Sequence, residues 1–262
     1  MRRFVPGIVL LAVSALLLLA SGGSAAEGQE WATIKGKVVW GGDKVPETKW
    51  ITVTVDQGHC LSANKTAKDG KILDEALLVN PKNKGIKNVF VYIAEQPGKE
   101  IPIHPDLKKI PKEVNLDQPA CAFFPRALAL REGQVFVVNN SASVQHNIRW
   151  IGDGTNNQGG NVTIKPGEKY EVKDLKAQRL PLTLECNIHG WMKGRLGVFN
   201  HPYYAITDED GNFEIKLAPV GTYKLMVYHE EIGYRGGAKN KLGEEHTIKA
   251  GVTDLGELKM GK

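Results

Sequence analysis

The amino-acid sequence predicts an all-β protein of sandwich type, and three observations carry that expectation. Beyond the first thirty residues, apolar side chains alternate in short runs. Those runs are broken by glycine, proline and asparagine. Almost no window sustains the 3.6-residue period of an amphipathic helix. In chain order the expected strands are 33–40, 51–55, 87–93, 126–130, 135–139, 147–151, 169–172, 182–185 and 195–199. After them come 204–207, 213–217, 223–228 and 246–249. Short strands at this spacing pack face to face as sandwiches.

Length and composition set the outer bounds. With 262 residues, the chain can form one large or two small domains. A hydrophobic content of 42% and a charged content of 24% exclude extensive disorder and fibrous folds. Residues 1–26 read as a secretory leader: Arg2 and Arg3, an apolar run from Ile8 to Ala20, then small residues up to Ser24-Ala25-Ala26, with cleavage expected after Ala26. The apolar run is shorter than the roughly 20 residues of a spanning helix, so no membrane span is expected after cleavage. An uncleaved anchor is the alternative. The expected location is periplasmic or otherwise extracytoplasmic.

Loss of residues 1–26 removes two of the 34 basic and none of the 29 acidic residues, leaving a net charge of +3. The basic residues are scattered, without an aromatic-basic stacking surface, so no nucleic-acid partner is expected. A positive face can still steer an acidic partner. Three cysteines are an odd number for an exported chain. Outside the cytosol a pair tends to oxidise, which suggests a Cys60–Cys121 disulfide and leaves Cys186 available as a thiolate ligand. Three reduced, buried thiols are the alternative.

The chemistry concentrates in Cys186-Asn187-Ile188-His189-Gly190-Trp191-Met192, a C-x2-H-x2-M loop between two β runs. Thiolate, imidazole and thioether form a soft donor set that suits copper, above all a trigonal Cys and two-His site with a weak axial Met. The second imidazole must come from another strand, and His146, in Val144-Gln145-His146-Asn147-Ile148, is the best candidate. Zinc is the rival metal. It normally takes harder donors than a thioether, and no second C-x2-C or H-x3-H pair is present. The expected cofactor is therefore one type 1 copper ion held by His146, Cys186, His189 and Met192. The other histidines, His59, His104, His201, His229 and His246, are dispersed. Asp208 and Asp210 read as a turn rather than a calcium loop.

On these residues the segment from about Asp117 to Asn200 resembles the cupredoxin, or blue-copper, family. Its Asn-Asn…His-Asn element matches Asn139 to Asn147, its Pro-Gly-Glu turn matches Pro166-Gly167-Glu168, and the short ligand loop is most similar to that of amicyanin. The resemblance implies a Greek-key β-sandwich over 116–200 and a one-electron carrier serving a redox protein partner. It also implies that Asn147 fastens the His146 strand to the ligand loop. Trp191 is a departure, read either as part of a docking patch around an exposed His189 edge or as packing beneath the loop.

The flanks, 27–115 and 201–262, resemble the carboxypeptidase-regulatory, transthyretin-like sandwich. The acidic-Gly-x-Phe turn at 208–213, the Pro219-x-Gly221-x-Tyr223 turn and the strands 34–39 and 86–92 carry that likeness. The central segment is then expected as an insertion in this sandwich, a plain tandem of three pieces being the alternative. The stretch Gln96 to Pro119 reads as a connector, the Asn200-His201-Pro202 step as another, and 152–161 as a long loop.

An enzyme is not expected. Multicopper oxidases and nitrite reductases need further copper held by His-x-His pairs, which this chain lacks, and it has no Gly-x-Ser-x-Gly element. The alternative function is a non-catalytic copper-binding or structural, carbohydrate-associated module.

Overall fold

The structure, a computed structural model, describes Met1 and residues 28–262. Apart from Met1, the leader expected over 1–26 lies outside the described residues. Among the described residues no helix is long and apolar enough to cross a membrane.

The fold is β-rich and is built as two sandwiches. One has a five-stranded sheet ordered Ala127–Arg131, Lys193–Phe199, Leu182–Glu185, His146–Ile151, Gly160–Ile164, facing a three-stranded sheet of Lys169–Val172, Val135–Asn139 and Glu113–Leu116. Strand alternation puts Leu182 and Leu184 on the inner face. They meet Phe136, Val138, Ile148, Leu196 and Val198 in one buried core. At the turn 166–168, Gly167 takes φ 78° after Pro166, the proline-then-glycine order of a tight turn, and its N–H donates to Asn140 O at 2.7 Å.

The second sandwich joins the two ends of the described chain. Trp31–Trp40 runs antiparallel to Asn212–Pro219 and parallel to Gly251–Met260. Phe90–Ile93 lies between Tyr204–Ile206 and Gly221–His229, with Glu244–Ile248 beyond. Its core collects Ile34, Val38, Val91, Tyr203, Phe213, Ile215 and Leu225. The turn at 208–212 is held by Asp208, whose Oδ1 accepts the N–H groups of Asp210 and Asn212 at 2.9 and 2.8 Å. Here Gly211 has φ 80°, and any Cβ would meet Val38 O at 2.2 Å.

The sandwiches meet through Phe90, Tyr92, Ala127, Phe199 and Met226. Beside this apolar seam, Glu230 accepts from Arg126 at 2.7 Å and from Arg195 at 3.1 Å, all three side chains largely buried. A carboxylate between two guanidinium groups satisfies charges that burial would otherwise make costly.

Several expectations need correction. Residues 50–73, expected with the flanking sandwich, pack against the other one: Val53, Cys60 and Ile72 share its core with Leu116 and Phe136. This segment is a small hairpin, Trp50–Thr52 with Lys71–Leu73, around a helix, Gln57–Ala63. Glu113–Leu116 falls inside the expected connector, yet pairs in parallel with Val135–Asn139. Gly160–Ile164 begins inside the expected loop. The ten-residue strand Gly251–Met260 has no counterpart among the expected elements, because it is an edge strand that buries only Leu258 and Met260.

Burial also makes the fold pH-sensitive. His201 is buried; its Nε2–H donates to Ile93 O at 2.9 Å and its Nδ1 accepts from Tyr203 N–H at 3.1 Å. Desolvation lowers its pKa to about 4. The unfolded chain therefore binds more protons than the folded one between about pH 6.5 and 4, so stability from this residue is present above that window and lost as pH falls through it. The loss is expected to reach about 3 kcal/mol. Unfolding midpoints measured from pH 7 to 4 should fall, and His201→Gln should flatten the dependence by about one proton; an unchanged slope would contradict the assignment.

Candidate metal centre

His146 opens the strand His146–Ile151, where it pairs with Ile164 of the neighbouring strand. Cys186 follows Leu182–Glu185, and the loop it starts returns directly into Lys193–Phe199. That loop is closed by its own backbone: Cys186 N–H donates to Met192 O at 3.1 Å and Met192 N–H to His189 O at 2.8 Å. The closure folds Cys186 and His189 toward the same end of the sandwich, where His146 waits.

The three donors converge. His146 Nδ1 and His189 Nδ1 are 3.1 Å apart, and Cys186 Sγ is 3.9 Å from His189 Nδ1. His146 and His189 are fully buried, Cys186 and Met192 nearly so. Two imidazole nitrogens facing each other cannot both carry a proton, so at least one lone pair points into the space they share. Both rings are shielded from solvent, and among the described residues His146 Nε2 has no hydrogen-bond partner. Desolvation, reinforced by the neighbouring His189 and His59, lowers the His146 pKa to about 4, and burial likewise lowers that of His189. Both rings are thus neutral near pH 7, the form in which imidazole binds a metal.

Asn147 ties the two halves of the site. Its Oδ1 accepts from Asn187 N–H at 2.7 Å, Ile188 N–H at 3.3 Å and the Cys186 thiol at 3.2 Å; its amide donates to Asn187 Oδ1 at 3.0 Å. The His189 N–H points at Cys186 Sγ, 3.5 Å away. Such outer contacts orient a thiolate and tune its electron density.

His189 is buried and presents no exposed imidazole edge. Its Nε2 lies 3.0 Å from Asp56 Oδ2, in the segment 50–73. Trp191 is half-buried, 5.3 Å ring to ring from His189, and its indole N–H donates to Cys121 O at 3.0 Å.

Cys60 and Cys121 form a disulfide with Cα atoms 5.2 Å apart, and Cys186 is the free, buried cysteine. Cys60, Cys121 and His189 also cluster, but the two sulfurs are bonded to each other and are not available as thiolates. Sequence reasoning missed Asp56 and His59. The latter links Pro119 O, at 3.2 Å from Nε2, to Ser143 Oγ, at 2.9 Å from Nδ1. Neither residue belongs to a local motif, and no sequence signal pointed to them.

No protein-family model matches the chain, and no curated protein matches it. Solved structures similar to part of it include a purple cupredoxin from Nitrosopumilus maritimus, 22% identical over 32% of this chain and 97% of that one, with a TM-score of 0.27. Another is a copper-containing nitrite reductase from Thermus scotoductus, 20% identical over 38% of this chain and 27% of that one, TM-score 0.32. A third is an amicyanin variant in its Cu(I) form, 15% identical over 40% of this chain and 98% of that one, TM-score 0.30.

Proposed function

We propose that this chain is an exported, non-enzymatic one-electron carrier whose single copper ion is held by His146, Cys186, His189 and Met192. The observation that carries the reading is the convergence of two imidazole nitrogens and one thiol in a buried space at one end of a rigid sandwich. The donor set fits copper: one soft sulfur, two neutral imidazoles, and a thioether in the same loop. Copper would supply a reversible one-electron couple.

The protein's own contribution is to hold the donors still. His146 stands on a sheet strand, the ligand loop is closed by two backbone hydrogen bonds, and Asn147 fastens one to the other. A frame that keeps its shape in both oxidation states lowers the reorganisation accompanying electron transfer, and burial keeps water from adding ligands. The disulfide supports an oxidising, extracytoplasmic location, in line with the leader pattern. The partner is a second redox protein.

The test is titration of the purified chain with Cu(II). Binding is expected to saturate at one equivalent with an intense visible thiolate-to-copper band that ascorbate bleaches and ferricyanide restores. A colourless protein with weakly held, exchangeable metal would overturn the carrier reading in favour of a structural or copper-binding module.

A further inference from the structure

The segment 50–73 forms a strap over the site, bringing Cys60 close to His189 and hydrogen-bonding His189 through Asp56. Asp56 lies 133 residues from His189 in sequence, yet its carboxylate is 3.0 Å from the His189 ring nitrogen that faces away from Cys186 and His146. A carboxylate only accepts, so His189 Nε2 carries the proton and Nδ1 keeps its lone pair toward the shared donor space.

The local structure is arranged for this contact. Asp56 precedes the helix Gln57–Ala63, a place where aspartate normally turns its side chain onto the first-turn N–H groups. Here it makes no such bond; its backbone carbonyl accepts from His59 N–H at 3.0 Å and Cys60 N–H at 2.9 Å, and the side chain is left for His189. The backbone is left-handed, φ 47° and ψ 38°, a conformation that aspartate and asparagine adopt more readily than other non-glycine residues. Neighbouring contacts hold the segment in place. Gln57 Nε2 donates to Val53 O at 2.9 Å, His59 bridges Pro119 and Ser143, and Cys60 is bonded to Cys121.

We infer that Asp56 is a positioning residue for the metal centre: by accepting the His189 Nε2–H it fixes the ring's tautomer and orientation, closes its outer edge, and sets a negative charge behind a copper ligand. The inference rests on the copper reading for its redox consequence, but not for the tautomer. A carboxylate behind a metal-bound imidazole raises the ligand's basicity and favours the more positive metal ion. Loss of the charge should therefore favour Cu(I). The Asp56 side chain is 40% exposed to solvent, which screens the effect and keeps it moderate.

Two measurements separate the parts. In metal-free protein, the ring 15N shifts of His189 should show the proton on Nε2 in the wild type and in Asp56→Asn, whose amide oxygen still accepts, with the Nδ1–H form gaining population in Asp56→Ala. A wild-type proton on Nδ1 would overturn the inference whatever the metal. In copper-loaded protein, Asp56→Asn should raise the equilibrium constant for reduction about tenfold, about 59 mV for one electron, with the visible band retained. Asparagine tolerates the left-handed backbone, so this variant is expected to fold. An unchanged potential would overturn the electrostatic role. If the wild type took up no copper, the carrier reading would fall, and the metal-free spectra would still decide whether Asp56 sets the His189 tautomer.

Discussion

Cys186→Ser is expected to give a folded protein that is colourless with Cu(II) and has lost its copper affinity by more than about 100-fold, beyond what removing an outer-shell partner costs. The side chain is small and buried, and serine differs from it by one atom, so the sandwich should survive with a loss of about 1 kcal/mol. What disappears is the soft sulfur donor. A serine hydroxyl does not ionise near pH 7 and is hard, so it neither neutralises the metal nor supplies a low-energy charge-transfer band. Isothermal titration with visible spectroscopy checks both parts; a variant that stayed coloured would place the sulfur elsewhere.

The second large effect concerns the strap. Replacing Cys60 and Cys121 together by alanine opens a covalent loop closed across 61 residues, which chain-entropy reasoning puts at about 4 kcal/mol. The sulfurs are also fully buried, beside Val53, Leu116 and Phe123, so the core loses contacts as well as a crosslink. Chemical denaturation followed by tryptophan fluorescence should show the midpoint shift. The same variant should loosen the strap that carries Asp56, so its copper site should lose metal to a chelator faster than the parent. Equal midpoints for parent and variant would show that the hairpin and helix at 50–73 hold to the sandwich without the bond.

The metal-centre candidates were readable in the sequence because their information is local or nearly so. Cys186, His189 and Met192 sit within seven residues, and their donor chemistry is unusual enough in combination to stand out. His146 could be paired with them because few histidines open an apolar run. The strands with one buried face, such as Leu182–Glu185 and Asn212–Pro219, were readable for the same reason: alternation is written directly into the residue order. Glu113–Leu116 was hidden by the prolines around it, and Gly251–Met260 by its exposure. The helix Gln57–Ala63 spans only seven residues, too few for a period to declare itself. Asp56 and His59 were beyond reach for a different reason. Their meaning comes from contacts with His189, Pro119 and Ser143, which only the folded chain brings together. The assignment of 50–73 to the wrong sandwich has the same origin, since short apolar runs do not say which core they will join.

X-ray absorption at the copper edge of the copper-loaded protein reads the ligand set itself. It should show one short copper–sulfur distance and two imidazole nitrogens in the first coordination shell, with the sulfur distance lost in Cys186→Ser. A shell of nitrogen and oxygen alone in the wild-type protein would contradict the proposed ligand set.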